Sequence, residues 1–142
     1  MATVTADLTH GFVVEVTNGR HAWSADEPID VGGTDVGPTP YEMLLGSVAS
    51  CTAITLSMYA QRKGLDLHSV SVQYHYEKVH ADDCMACDDE ATGFIDTVRS
   101  QIFIEGDFTD SQRKRLAEIA TRCPVHKTLE RGITFDDDVV VG

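Results

Sequence analysis

The sequence predicts one globular domain, residues 1–142, in which antiparallel strand pairs are combined with separate helices, and three observations carry that expectation. Apolar and polar residues alternate on both sides of Asn18-Gly19 in "HGFVVEVTNGRHAWSAD", and again in "HSVSVQYHYEKVH" and "FIDTVRSQIFIEG". This is the two-residue period of half-buried strands. Two helix starts are spelled out, Thr39-Pro40 with Glu42 and Thr109 with Gln112, each a Thr followed three residues later by an acid or amide that can complete a capping box. A chain of 142 residues with 42% hydrophobic content is also the right size for a single domain with a real core.

Taken in order, Asn-Gly between alternating runs is a strong hairpin signal, so the chain is expected to open with two antiparallel strands. "EPIDVGGTDVGPTP" is too rich in Gly and Pro to be an element and reads as a loop. A long helix follows from Pro40 to about Arg62, with Gly64 as its stop. Its stretch between Glu42 and Arg62 holds 19 residues without a formal charge, which raises the question of a membrane span. Ser47, Ser50, Thr52, Thr55 and Ser57 make the run only moderately apolar, and the simpler expectation is a core or interface helix. Its stripe Leu44, Val48, Cys51, Thr55, Met58 puts Cys51 on one face. The two later alternating runs form a hairpin around an acidic loop carrying Cys84 and Cys87, bringing the sheet to four strands. In the second helix, Leu116, Ile119, Ala120 and Cys123 recur at i, i+3, i+4 and i+7. Pro124 opens a further helical turn, "PVHKTLER", closed by Gly132, and "ITFDDDVVV" is the expected last strand.

The charge balance excludes several classes of partner. With 23 acidic against 11 basic residues and a net charge of -12, neither nucleic acid nor an anionic membrane is expected to bind. The acid runs in "ADDCMACDDE" and "FDDDVV" read as solvated surface. "MATVTADLTHGFVVEV" has no basic stretch followed by an apolar one, and a cytoplasmic location is expected. In that reducing compartment four cysteines are candidates for redox, catalytic or metal chemistry rather than a permanent disulfide framework.

The cysteines differ in setting. Cys51 sits mid-helix, where the residues alone allow a buried small hydrophobe or a thiol activated by a cation from elsewhere. Cys123 precedes the turn starting at Pro124, whose backbone N–H groups point at the capping residue and favour a thiolate, with His126 in the same turn. Cys84 and Cys87 form a Cys-x-x-Cys pair flanked by Asp82, Asp83, Asp88, Asp89 and Glu90, and that negative charge makes them slow nucleophiles. The loop is read as unoccupied, as holding a local disulfide, or as a zinc site from His80, Cys84 and Cys87 with His75 or an aspartate as fourth ligand.

Two stretches, "GGTDVGPTPYEMLLGSVASCTAITLSMYAQRKG" and "RLAEIATRCPVHKTLE", resemble the signature regions of the OsmC/Ohr family, the osmotically inducible and organic hydroperoxide resistance proteins, and its OsmC-like branch most of all. The resemblance implies an α+β fold with an antiparallel sheet and a long central helix, in an intertwined homodimer whose two active sites form between subunits. It implies that Cys51 is the peroxidatic thiol and Cys123 the resolving one. A Cys51 thiolate then attacks a small-molecule peroxide, organic or hydrogen peroxide, and becomes a sulfenic acid, which Cys123 condenses with to give a disulfide. A dithiol reductant reopens that disulfide. No cofactor is expected, because the thiols carry the redox chemistry themselves.

The same resemblance assigns an arginine near the start of the chain to hold the thiolate and a glutamate at the start of the long helix to orient it. Arg20 matches the first. Where hydroperoxide enzymes carry the glutamate this chain has Tyr41, with Glu42 one position later, and one helical position turns a side chain by about 100°. Tyr41 is therefore expected to line the site as a binding group, with Glu42 as the candidate for the displaced carboxylate, while His126, in the turn after Pro124, is either a second binding group or a histidine satisfied by a hydrogen bond. The departure bears on peroxidase efficiency and keeps a second expectation in view: a non-enzymatic OsmC-like protein that binds a small apolar ligand at the dimer interface.

Overall fold

The structure, a computed structural model, describes residues 1–84, 88 and 90–142. It has an α+β architecture of antiparallel sheets, one long helix and two shorter ones, divided into two compact units, Met1–Gly46 and Ser47–Gly142.

In the N-terminal unit, strands β1 (Thr5–His10), β2 (Val13–Thr17) and β3 (Ala22–Ala25) form an antiparallel sheet in that order. The turn expected at Asn18-Gly19 joins β2 to β3. The Asn18 carboxamide accepts from the amides of Arg20 and His21 at 3.0 and 2.8 Å, and Gly19 takes the positive φ of 87° that favours glycine. Strand β1 was not expected. It is exposed along its whole length, so it has no buried side for an alternating pattern to mark.

The loop after β3 is held by one carboxylate. Asp26, only 2% exposed, accepts from the amides of Glu27 (2.8 Å), Thr34 (3.0 Å) and Val36 (3.3 Å) and from the Thr34 hydroxyl (2.6 Å). These bonds, that of the Thr34 hydroxyl foremost, bring its pKa down to about 2. Backbone packs so closely here that a Cβ on Gly33 would overlap the Glu27 carbonyl and one on Gly37 the Ser24 carbonyl.

Helix α1 (Pro40–Lys63) crosses the boundary between the units. Thr39 starts it with the expected box: its hydroxyl accepts from the Glu42 amide at 3.2 Å, and the Glu42 carboxylate accepts from the Thr39 amide at 2.8 Å. Gly64, at φ 63°, follows its last residue. By length and composition α1 is apolar enough to cross a membrane, a test that core helices also pass.

The C-terminal unit pairs β4 (Asp66–His80) with β5 (Phe94–Asp107) from Asp66↔Asp107 to His80↔Phe94. The register slips between Leu67 and Ser69, and the side chains turned inward change phase there, from Leu67 to Val70, Val72 and Tyr74. Helices α2 (Asp110–Ala120) and α3 (Pro124–Arg131) follow, α2 with the full Thr109/Gln112 capping box. The core joins Leu56 of α1 to Leu116 and Ala120 of α2, with Tyr59, Leu65, Val70, Ile102, Ile104, Phe108 and Ile119 packed around them.

Three expectations about elements need correction. The strands form a three-stranded and a two-stranded sheet rather than one sheet of four. "ITFDDDVVV" is not a strand: strand-forming residues are present, but no edge among the described residues pairs with them. The buried stripe of α1 is Val48, Thr52, Leu56, Ala60, whereas Leu44 and Met58 are exposed. A helix without charge on any side does not declare its inner face through polarity.

Candidate functional site

The thiol of Cys123 lies at a junction of three elements. The chain leaves α2 at Ala120, and Pro124 takes the first position of α3, where its missing N–H costs nothing. Cys123 thereby becomes the N-cap of α3, and its sulfur accepts from the His126 amide at 3.3 Å. It is fully buried, and its S–H points at the Val48 carbonyl oxygen of α1, 4.0 Å away. In an α-helix the carbonyl of residue 48 is directed at the amide of residue 52. The Cys123 sulfur therefore meets α1 at the turn that carries Cys51 and Thr52.

Cys51 is half-buried beside the inward stripe, and both it and Cys123 are free thiols. Its neighbour Thr52 is fully buried and shares a hydrogen bond of 3.1 Å with the Tyr74 hydroxyl of β4. That bond satisfies a polar group inside the core and fixes the rotation of α1 against β4. The direction in which Cys51 faces follows from it.

On α3, the His126 ring is bound through Nε2 to Glu130 Oε1 at 3.1 Å, one helical turn on. Glu130 also accepts from the Lys127 ammonium at 3.0 Å. That ammonium, with His126 adding to it, holds the Glu130 carboxyl below the usual carboxylate range. The other ring nitrogen, His126 Nδ1, is buried and has no hydrogen-bond partner among the described residues. The Glu130 partnership escaped the sequence reading, although the i, i+4 spacing of His126 and Glu130 could have pointed to it.

Arg20, Tyr41 and Glu42 belong to the N-terminal unit. Arg20 is exposed in the β2–β3 turn, and among the described residues its guanidinium forms no ion pair. Tyr41 is 54% exposed on the first turn of α1. Glu42 is engaged by the Thr39 amide in the capping box.

The acidic loop is described only in part. His80 caps a short 3-10 turn at Ala81–Asp83, its Nδ1 accepting from the Asp82 amide at 3.4 Å. Cys84 is disulfide-bonded and in that state presents no thiolate to a metal, while Cys87 lies outside the described residues. A different group, Asp66, His68 and Asp107 at the far end of the β4–β5 hairpin, is arranged closely enough to share a cation, but all three are exposed.

The model of the OsmC-like protein family matches residues 32–136, from the Asp26-held loop through α3 and beyond it. The chain belongs to the OsmC-like family. No curated protein matches it. Among solved structures, the OsmC-like protein from Mycoplasma pneumoniae superposes with a TM-score of 0.70 at 18% identity, covering 92% of this chain and 87% of that one. An organic hydroperoxide resistance protein OsmC from Legionella pneumophila gives 0.61 at 20% identity, over 89% and 87%. The organic hydroperoxide resistance protein OhrB of Bacillus subtilis gives 0.58 at 18%, over 89% and 88%. At such identities these likenesses establish the OsmC-like fold alone.

Proposed function

We propose that this OsmC-like protein is a thiol-dependent peroxidase that reduces organic hydroperoxides or hydrogen peroxide, with Cys51 as the peroxidatic and Cys123 as the resolving thiol. The observation that carries the reading is the buried Cys123 sulfur set against α1 at the turn of Cys51. The Cys51 thiolate attacks one peroxide oxygen, the O–O bond breaks, an alcohol or water leaves, and the sulfur is left as a sulfenic acid. Cys123 displaces hydroxide from it, forming the intramolecular disulfide, and a dithiol restores both thiols by exchange. Resistance to organic hydroperoxides in the names of the Legionella and Bacillus proteins supports the same substrate class.

The working unit in this reading is a cytoplasmic homodimer of 142-residue single-domain chains, acting without nucleic acid, membrane or cofactor. Ile54 and Met58, 57% and 65% exposed on the apolar helix α1, support a second copy as its cover. Arg20, Glu42 and Tyr41 are the proposed groups around the Cys51 thiolate, and His126 serves the Cys123 side.

A second reading draws on one observation: the Glu42 carboxylate accepts from the Thr39 amide in the helix cap, and no ion pair among the described residues joins it to Arg20. This favours a non-enzymatic protein that binds a small apolar ligand at the dimer interface. Purified protein supplied with cumene hydroperoxide and a dithiol decides between the two. Turnover that disappears in Cys51→Ser, with a dimedone-trapped sulfenic acid accumulating at Cys51 in Cys123→Ser, is the outcome expected of the peroxidase. Full turnover in Cys51→Ser overturns the site assignment, and absence of turnover with a copurifying ligand supports the binder.

A further inference from the structure

Beside the core of the C-terminal unit, β5 and α2 leave an open groove with a cavity of about 230 Å³, lined by Ile102, Ile104, Phe108, Arg113, Leu116 and Ala117. All but Arg113 are apolar, and Ile102, Ile104, Phe108 and Leu116 belong to the core cluster or pack against it. The groove is a stretch of core left open to solvent. Two small residues shape it. Gly106 lets the Phe108 ring lie against β5, where a Cβ would overlap both that ring and the Asp66 carbonyl. Ala117, one helical turn after Arg113, lines the cavity with no more than a methyl group. At the rim, the Arg113 guanidinium carbon lies over the Phe108 ring, 5.8 Å from its centroid, a contact that leaves the N–H edge for a further partner. Among the described residues Arg113 forms no ion pair. It begins a run of three cations, Arg113, Lys114 and Arg115, of which Arg115 is paired with Glu118.

We propose that this groove binds a medium-chain carboxylate of the fatty-acid type, with the alkyl chain on Ile102, Ile104, Phe108 and Leu116 and the carboxylate on Arg113. The site lies within one chain and does not depend on the peroxidase reading. Three features select this occupant. Apolar walls and an alkyl chain stabilise one another by leaving water together. A guanidinium meets a carboxylate through two parallel N–H···O bonds, so the headgroup is an acid rather than an alcohol or an amine. A chain of net charge -12 repels anions in general, and a run of cations on α2 is where one can settle. The cavity is below the roughly 300 Å³ at which pockets for drug-sized molecules begin, so it suits a slender chain lying along the groove rather than a bulky ring system.

The test titrates the full-length protein with octanoate and, in parallel, with octanol, following the backbone amides by nitrogen–proton correlation spectra. Octanoate is expected to shift the amides of Ile102, Ile104, Phe108, Arg113 and Ala117 saturably and to bind about 10-fold more tightly than octanol. Arg113→Gln should remove that preference and leave the affinity for octanol unchanged. Ala117→Phe fills the groove and should abolish binding of both, with a thermal melt to show that the variant is folded. If Ala117→Phe does not fold, Arg113→Gln carries the test, because Arg113 is exposed and its replacement leaves the core apolar side chains in place. The proposal is overturned by octanoate that shifts none of these amides, by shifts centred instead on Ile54 and Met58 of α1, or by Arg113→Gln that binds octanoate as tightly as wild type does. Undiminished binding in folded Ala117→Phe overturns it equally.

Discussion

At the scale of single residues, Asp26 shows how one side chain can specify a loop that carries little apolar content. Three amides and a hydroxyl converge on its carboxylate and draw residues 27–36 into a fixed path leading to the cap of α1. Its pKa is lowered from 3.8 to about 2, so the folded state prefers the ionised form more strongly than the unfolded state does. The stabilisation is complete above about pH 4 and is lost as the pH falls from there through about 2. The difference in midpoint between wild type and Asp26→Asn in thermal melts should thus be constant above pH 4 and shrink towards pH 2. Gly33→Ala places a methyl group against the Glu27 carbonyl and is expected to cost about 1–3 kcal/mol in urea unfolding, without a change of slope. Neither effect was legible in the sequence. "EPIDVGGTDVGPTP" announces a loop, but the convergence of its amides on Asp26 depends on a backbone path that composition does not encode.

At the scale of elements, what could be read in advance was written in local chemistry. Both capping boxes form where Thr39/Glu42 and Thr109/Gln112 place them, and Pro124 makes Cys123 a cap rather than the last residue of α2. Thr109→Ala should lower stability by about 1 kcal/mol, seen in denaturant unfolding, with Thr109→Ser close to wild type. What could not be read were relations between elements. The inner face of α1 is fixed by the bond between Thr52 and Tyr74 and by Leu56 packing onto Leu116 and Ala120. Leu56→Ala is expected to destabilise by about 2–5 kcal/mol, whereas Met58→Ala on the exposed side should stay within about 0.5 kcal/mol in a monomeric reference state. For the site, the cap position of Cys123 followed from Pro124, while the proposed pairing of Cys51 with Cys123 rests on family resemblance alone. Their spacing of dozens of residues carries no local signal.

At the scale of the whole molecule, α1 is the clearest demand for a partner. Only 22% of its most apolar window is buried within the chain, which leaves Leu44, Ile54 and Met58 exposed along it. Sedimentation equilibrium should find a homodimer at micromolar concentration, and Ile54→Glu with Met58→Glu should shift it toward monomer. A stable wild-type monomer would remove the basis for a site shared between subunits. The acidic loop is expected to be dispensable: Cys84→Ser with Cys87→Ser should keep most of the wild-type peroxide turnover. A loss as deep as that of Cys51→Ser would move the chemistry to that loop.

The sulfur that starts α3 has one consequence for observation. A backbone amide usually reports on a carbonyl, whose electronic state never changes, but the His126 amide is bound to a sulfur that can be a thiol, a thiolate or part of a disulfide. Each state offers that N–H a different acceptor, and the nuclear shielding of its proton must differ with it. A single resonance in an ordinary nitrogen–proton correlation spectrum is therefore a label-free gauge of Cys123, built into the backbone and readable in real time while peroxide is added.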